Sequence, residues 1–166
     1  MRIKLATLLL ALWVPAAQAK DTGLAAPVKL GEATLRVLGK TLYSATLHTE
    51  GSAQFSWSQP LSLRLDYAYG FTATQLVKAT GREIERIEGQ RPDQAALLAK
   101  LAPCFRDVAP GDSFVALSNA ADKVALRLNG QQTCDVTHPQ LRQRFLGIWL
   151  SPDSRSPRLS RQLRGG

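Results

Sequence analysis

Residues 61–88 read LSLRLDYAYGFTATQLVKATGREIERIE, and the change of period inside this stretch decides the fold class. In 61–69 the apolar residues alternate: Leu61, Leu63, Leu65, Tyr67 and Tyr69 fall on one face, opposite Ser62, Arg64, Asp66 and Ala68. That period of two predicts a half-buried strand, bounded by Pro60 and Gly70. From Thr72 the period becomes helical, with Leu76, Val77, Thr80, Ile84 and Ile87 on one stripe of a helix over 72–88. Thr72 or Thr74 is the expected N-cap, and Gly81 weakens or bends the helix.

Working outward, 31–39 (GEATLRVLG) and 41–49 (TLYSATLHT) read as two strands around Gly39-Lys40, and 54–57 reads as a short third strand. In the second strand Tyr43, Ala45 and Leu47 face one way, and Leu42, Ser44, Thr46 and His48 the other. Beyond the long helix, Asp93 is expected to cap a second one over 94–101, with Leu97, Leu98 and Leu101 on one face. Pro110-Gly111-Asp112 marks a turn, 113–118 and 123–128 a hairpin, and Asn129-Gly130 a turn into a strand near 133–136. His138-Pro139 leads into a helix carrying Leu141, Phe145, Ile148 and Trp149, stopped by Pro152; Pro157 starts a short basic helix to about Leu163. Four strands, two helices, a hairpin with one more strand and C-terminal helices make an α+β layout with a mostly antiparallel sheet.

The first nineteen residues lie outside that layout. Arg2 and Lys4 precede an apolar run of ten residues, Leu5 to Val14, and Ala17-Gln18-Ala19 is a cleavage signature. This is the pattern of a secretory signal peptide cleaved before Lys20. An uncleaved membrane anchor is the alternative, but ten residues fall short of the roughly 20 needed to span a bilayer. The expected compartment is the bacterial periplasm, and the expected mature domain is 20–166. Loss of Arg2 and Lys4 lowers the net charge from +8 to +6, and residues from Arg142 onward hold most of it: six arginines against Asp153. Arg155, Arg158, Arg161 and Arg164 are candidates for docking to an anionic membrane; a solvated, frayed tail is the competing reading. Nucleic acid is not expected as a partner, because the tail lacks interleaved aromatics and export removes the protein from it.

Two cysteines in an oxidising compartment imply one disulfide, Cys104 to Cys134, stabilising by roughly 3 kcal/mol through loop closure. Two buried free thiols are the alternative. Neither a redox pair nor zinc-ligand spacing is present, and no cofactor or metal is implied. The chain also lacks a nucleophile elbow, a phosphate loop and a dinucleotide fingerprint. Its two histidines, His48 and His138, read as an outward strand residue and the lead-in to a helix. Glu83, Glu85 and Glu88, interspersed with Arg82 and Arg86, read as a solvated helix face from which one carboxylate turns inward.

Several segments together resemble the chalcone-isomerase-like proteins, in particular their small exported bacterial branch. They are Leu38-Gly39-Lys40 with Leu42-Tyr43-Ser44-Ala45-Thr46-Leu47, the strand 61–69, Glu83-Ile84-Glu85-Arg86-Ile87, Pro110-Gly111-Asp112, Asn129-Gly130, and the run from Phe145 to Pro152. The resemblance implies an open-faced β-sandwich, a long antiparallel sheet with helices on one face. In the plant isomerases a strand Arg, a strand Thr and a helix Tyr and Asn stabilise an enolate. Arg36 is the nearest match to that Arg; the strand Thr falls at Tyr43, 82–89 (REIERIEG) holds neither Tyr nor Asn, and a late helix Thr falls near Arg144. The resemblance therefore implies a non-catalytic protein binding a small amphiphile such as a fatty acid. Arg36 and Tyr43 would grip its carboxylate, as an Arg and a Tyr do in related fatty-acid-binding proteins. The alternatives are an isomerase or intramolecular lyase using Arg36 and Tyr43, and an envelope scaffold docking through the C-terminal arginines. Arg36 as an exposed strand residue and Tyr43 as a core residue is the plainer reading of both.

Overall fold

The computed structural model describes residues 22–166; the expected signal peptide, 1–19, lies outside them. Six strands follow one another across a single sheet: β1 (Pro27–Val37), β2 (Lys40–Glu50), β3 (Leu61–Tyr67), β4 (Ser113–Ala120), β5 (Lys123–Leu128) and β6 (Gln131–Thr137). Every neighbouring pair is antiparallel and the order in space is the order in sequence. Among the described residues four helices complete the fold: α1 (Ala73–Glu88), α2 (Gln94–Leu101), α3 (Leu141–Leu150) and α4 (Pro157–Leu163). The layout is the α+β, open-faced arrangement expected.

Register explains why helices cover one face. Tyr43, Ala45 and Leu47 stand opposite Tyr67, Leu65 and Leu63. Leu63 and Leu65 in turn face Ala116 and Phe114, and these face Leu126 and Leu128. Directly opposed residues point the same way, so one apolar surface runs from β2 to β5. Ile84 of α1, Leu97 and Leu101 of α2, and Phe145 and Leu150 of α3 pack onto it. Thr72 is the N-cap of α1, closing a capping box with Gln75. Gly81 lets α2 approach: a Cβ there would lie 2.9 Å from Leu98 Cδ1.

Several expectations are corrected. Residues 54–57 are not a strand; Ser52 and Ser56 hydroxyls accept from the Gln54 and Ser58 amides, giving the backbone local partners in place of a ladder. Tyr69 leaves the apolar face and is half exposed, because the Ala68 and Tyr69 amides both turn to the Leu42 carbonyl and end the alternation. Asp93 precedes α2 but does not cap it with its side chain; the carboxylate accepts from His138 and Arg144 instead. Ser62 is fully buried on the outer face, where the Thr22–Leu24 segment crosses the sheet and the Thr22 carbonyl accepts from its hydroxyl at 2.8 Å.

Cys104, at the end of a short 3-10 turn (Ala102–Cys104), and Cys134 on β6 form the expected disulfide, with Cα atoms 5.3 Å apart. The C-terminus is not frayed. Helix α4 lies on β1, with Ser160 and Leu163 buried. Glycine at position 31 permits this, because a Cβ there would run into the Gln162 and Leu163 carbonyl oxygens. Gly31→Ala is expected to destabilise by about 2–3 kcal/mol, since backbone and not a pliable side chain must move. A lower urea midpoint, with faster tryptic cleavage at Arg158 and Arg161, checks it.

Candidate ligand-binding site

The sheet and helix layers do not meet everywhere. Between them lies a cavity of about 360 Å³, within the range of small-molecule sites. Its inner wall is apolar: Leu63 and Leu65 of β3, Phe114 of β4 and Leu126 of β5 form the floor, with Phe105 and Phe145 above. Strand alternation places these side chains inward, and α1 and α3 roof them with Leu76, Ala79 and Ile148. Leu159 and Leu163 of α4 close one side.

Polar groups gather in one part of the lining. Tyr43 Oη accepts a hydrogen bond from Trp149 Nε1 at 3.0 Å, which leaves the phenolic proton available to a further acceptor. Tyr67 packs edge-on to Tyr43, ring centroids 6.0 Å apart. Burial pushes the Tyr43 hydroxyl up, offset in part by the Trp149 bond, and the charge of Glu83 raises it further. Burial likewise raises Tyr67, with Tyr43 adding to the shift. Both phenols are therefore neutral donors.

Arg82, Glu83 and Arg155 complete this end of the lining. Arg155 Nε donates to Glu83 Oε1 at 2.8 Å, and Arg86 Nε donates to Glu83 Oε2 at 3.0 Å. Partial burial pushes the Glu83 carboxyl up, but the bonds and charges of Arg155 and Arg86 outweigh it and hold the group below its usual range. Arg86 also donates to the Asp153 carbonyl at 2.8 Å, tying the loop before α4 to α1. Two guanidiniums, those of Arg86 and Arg155, thus hold one carboxylate, and Arg82 lines the same cavity.

The expected pairing of Arg36 with Tyr43 is not the arrangement found. Tyr43 lines the cavity, but its cross-strand neighbour is Leu35, which also lines it. Arg36 opposes Thr41 across a register shift and is exposed at the end of β1, outside the lining. The guanidiniums at the cavity belong to Arg82 and Arg155. Of the other C-terminal arginines, Arg158 and Arg161 are exposed, while Arg164 donates to the Ser160 carbonyl and lies 5.7 Å from the Phe55 ring centroid. Arg142 and Arg144 are buried, so no continuous basic ridge runs from 142 to 164.

Among the glutamates, Glu83 and Glu88 turn inward and Glu85 stays on the solvated face. His138 is buried against Asp93, and His48, partly buried on the outer face, has its imidazole pushed down by desolvation and the charges of Lys29 and Arg64. Among the described residues no group of three His, Cys, Asp or Glu gathers as a metal site. Sequence reading missed Arg82, Tyr67 and Trp149 as cavity residues. The signal available for the aromatics was a polar tip on otherwise apolar faces, which requires a partner wherever it is buried.

Comparison with known proteins agrees with this architecture. No curated protein matches the chain by sequence. Among solved structures, a fatty-acid binding protein of Arabidopsis thaliana superposes with a TM-score of 0.63 at 9% identity, over 85% of this chain and 88% of that one. At that identity the likeness is one of fold. The chalcone isomerase-like family model matches residues 32–165, all six strands from the middle of β1 onward and all four helices, and the chain belongs to the chalcone isomerase-like family.

Proposed function

We propose that the protein is an exported, non-catalytic binder of a single-chain amphiphile such as a fatty acid, held tail-inward with its carboxylate at Arg82 and Arg155. One observation carries the reading: the cavity is apolar along its floor and roof, and its charged groups are confined to Arg82, Glu83 and Arg155. An unpaired carboxylate in such a cavity is strongly disfavoured. Here the two arginines exceed the one glutamate by one charge, and guanidinium–carboxylate bonds are the strong, charge-assisted kind. Tyr43 adds a neutral donor at the same end. The fold likeness to a plant fatty-acid binding protein supports the reading, and the leader at 1–19 supports export to a periplasm.

The test is native mass spectrometry of the protein isolated from the periplasm, followed by denaturing extraction and then fatty-acid titration of the stripped protein. A stoichiometric amphiphile is expected. Arg155→Ala is expected to weaken rebinding by about tenfold or more, the loss of a hydrogen bond to a charged group. Tyr43→Phe should weaken it less, and Arg36→Ala should leave it unchanged. A clean unliganded mass with no uptake of any fatty acid overturns the reading.

A further inference from the structure

The turn between β1 and β2 does not follow the chemistry of its sister turn. Between β5 and β6 the two left-handed positions are filled by Asn129 and Gly130, φ 50° and 81°, the residues such turns favour. Between β1 and β2 the same positions hold Leu38 and Gly39, φ 49° and 78°. A leucine in the left-handed region is strained, and packing does not compensate, because Leu38 is 98% exposed. Val37 beside it is 48% exposed and Tyr69 is 50% exposed; these three are the exposed large hydrophobics among the described residues.

They share one end of the molecule, and that end adjoins the cavity. Leu35 and Leu42, on either side of the turn, both line the cavity. The Tyr69 amide donates to the Leu42 carbonyl, and the Tyr69 ring lies 5.4 Å from that of Phe71, another lining residue. The exposed apolar surface thus continues the cavity wall outward. Arg36 and Lys40 flank it, both exposed and without a carboxylate partner among the described residues, and 35–43 contains no acid. Apolar tip, cations on both sides and an adjacent tyrosine form a set that suits an anionic bilayer. The apolar chains enter the acyl boundary, and the tyrosine and cations stay with the headgroups. A soluble partner able to match the two cations would need acids around an apolar pocket; a bilayer of anionic phospholipid supplies both features without a dedicated site.

We infer that the β1–β2 hairpin tip, Arg36 to Lys40 with Tyr69, docks the protein on an anionic phospholipid bilayer and brings the cavity to the interface. Docking is read without any cavity ligand, so it stands or falls apart from the fatty-acid reading. The experiment is co-sedimentation of the chain beginning at Lys20, which keeps every described residue, with vesicles of phosphatidylcholine alone or with phosphatidylglycerol.

Binding to the anionic vesicles is expected, weakening with salt. Leu38→Asp should lower partitioning at least tenfold, and the double variant Arg36→Glu/Lys40→Glu should do the same at low salt. Leu38→Gly suits the turn, so it should lose vesicle binding without a lower Tm, separating docking from folding. Arg158→Glu/Arg161→Glu should change binding less than twofold. The inference is overturned if the unaltered protein does not sediment with anionic vesicles, or if Leu38→Asp binds them equally well. Loss confined to the Arg158/Arg161 variant would place docking on α4 and overturn it too. Capture of a soluble protein through Leu38, with vesicles left unbound, would do likewise.

Discussion

Arg144→Ala is expected to lower the stability of the folded protein by about 3–5 kcal/mol, toward the smaller figure. The Arg144 side chain is 2% exposed. Its Nε lies 3.0 Å from each Glu88 carboxylate oxygen, Nη2 donates to Glu88 Oε1 at 2.6 Å, and Nη1 donates to Asp93 Oδ2 at 2.8 Å. His138 Nε2 shares that Asp93 oxygen at 3.0 Å. One guanidinium therefore joins α1, the start of α2 and α3. Removing it leaves Glu88, in a hollow it shares with Ile84, Ile87, Gln140 and Gln143, with Arg91, 3.5 Å away, as its one cation among the described residues. Breaking one half of such a pair costs more than the intact pair contributes, because the other charge stays partly desolvated. A hollow of about 170 Å³ beside Glu88 admits water and softens the loss.

The loss should depend on pH. The His138 hydrogen bond, and after it the bond and charge of Arg144, hold the Asp93 carboxyl below its usual range against some desolvation. A depressed carboxyl stabilises the fold above its unfolded pKa of about 3.9, and that contribution disappears as pH falls through the folded value. The difference between the native protein and Arg144→Ala should be constant from neutral pH to about pH 5 and shrink below pH 4. Urea midpoints across that range check it. Replacing Arg144 together with its closer partner, Arg144→Met with Glu88→Met, should recover much of the loss, because Glu88 is no longer left unpaired and Asp93 keeps His138 and Arg91.

Removing the disulfide as Cys104→Ser/Cys134→Ser is expected to cost about 3–4 kcal/mol and lower the Tm by about 10 °C. The bond spans 30 residues and ties the turn after α2 to β6. It has more than chain entropy behind it. Among the described residues β6 is an edge strand paired only with β5, and of its own residues only Val136 is buried. Without the bond little besides the β5 ladder retains it, and its loss would uncover the edge at β5. Differential scanning calorimetry gives the magnitude, and amide exchange should show β6 opening well before β3. Equal protection of β6 in the native and disulfide-free proteins would mean the ladder alone holds it.

Elements with strong periodicity were legible from the chain. The alternation of 61–67 and the helical stripe of 73–88 each satisfy a face that one neighbour can cover, so local pattern and tertiary demand coincide. The Asn129-Gly130 turn and the helix opening at Pro157 were legible for the same reason, since backbone chemistry at one or two positions decides them. Residues 54–57 misled because their alternation is short and serine hydroxyls offered the backbone another partner. Asp93 misled because a helix cap and a buried arginine competed for one carboxylate, and the arginine prevailed, since Glu88 takes its Nε and Nη2 and leaves the buried Nη1 to Asp93.

The candidate site was half legible. Tyr43 lines the cavity as its alternation with Ala45 and Leu47 allowed. Arg36 does not, because the residue opposite Tyr43 is Leu35 and a register shift separates the two, which no reading of β1 alone reveals. By itself the sequence determined which segments are strands and helices, 54–57 apart, and which faces are apolar, because these follow from neighbours along the chain. Only the tertiary structure decided which arginines meet the cavity, because Arg82 and Arg155 lie 73 positions apart and come together through the packing of α1 against the turn before α4. The same holds for Arg142 and Arg144. In sequence they extend a basic tail, yet folding buries them, since each finds enough acceptors in the packed layers to leave water.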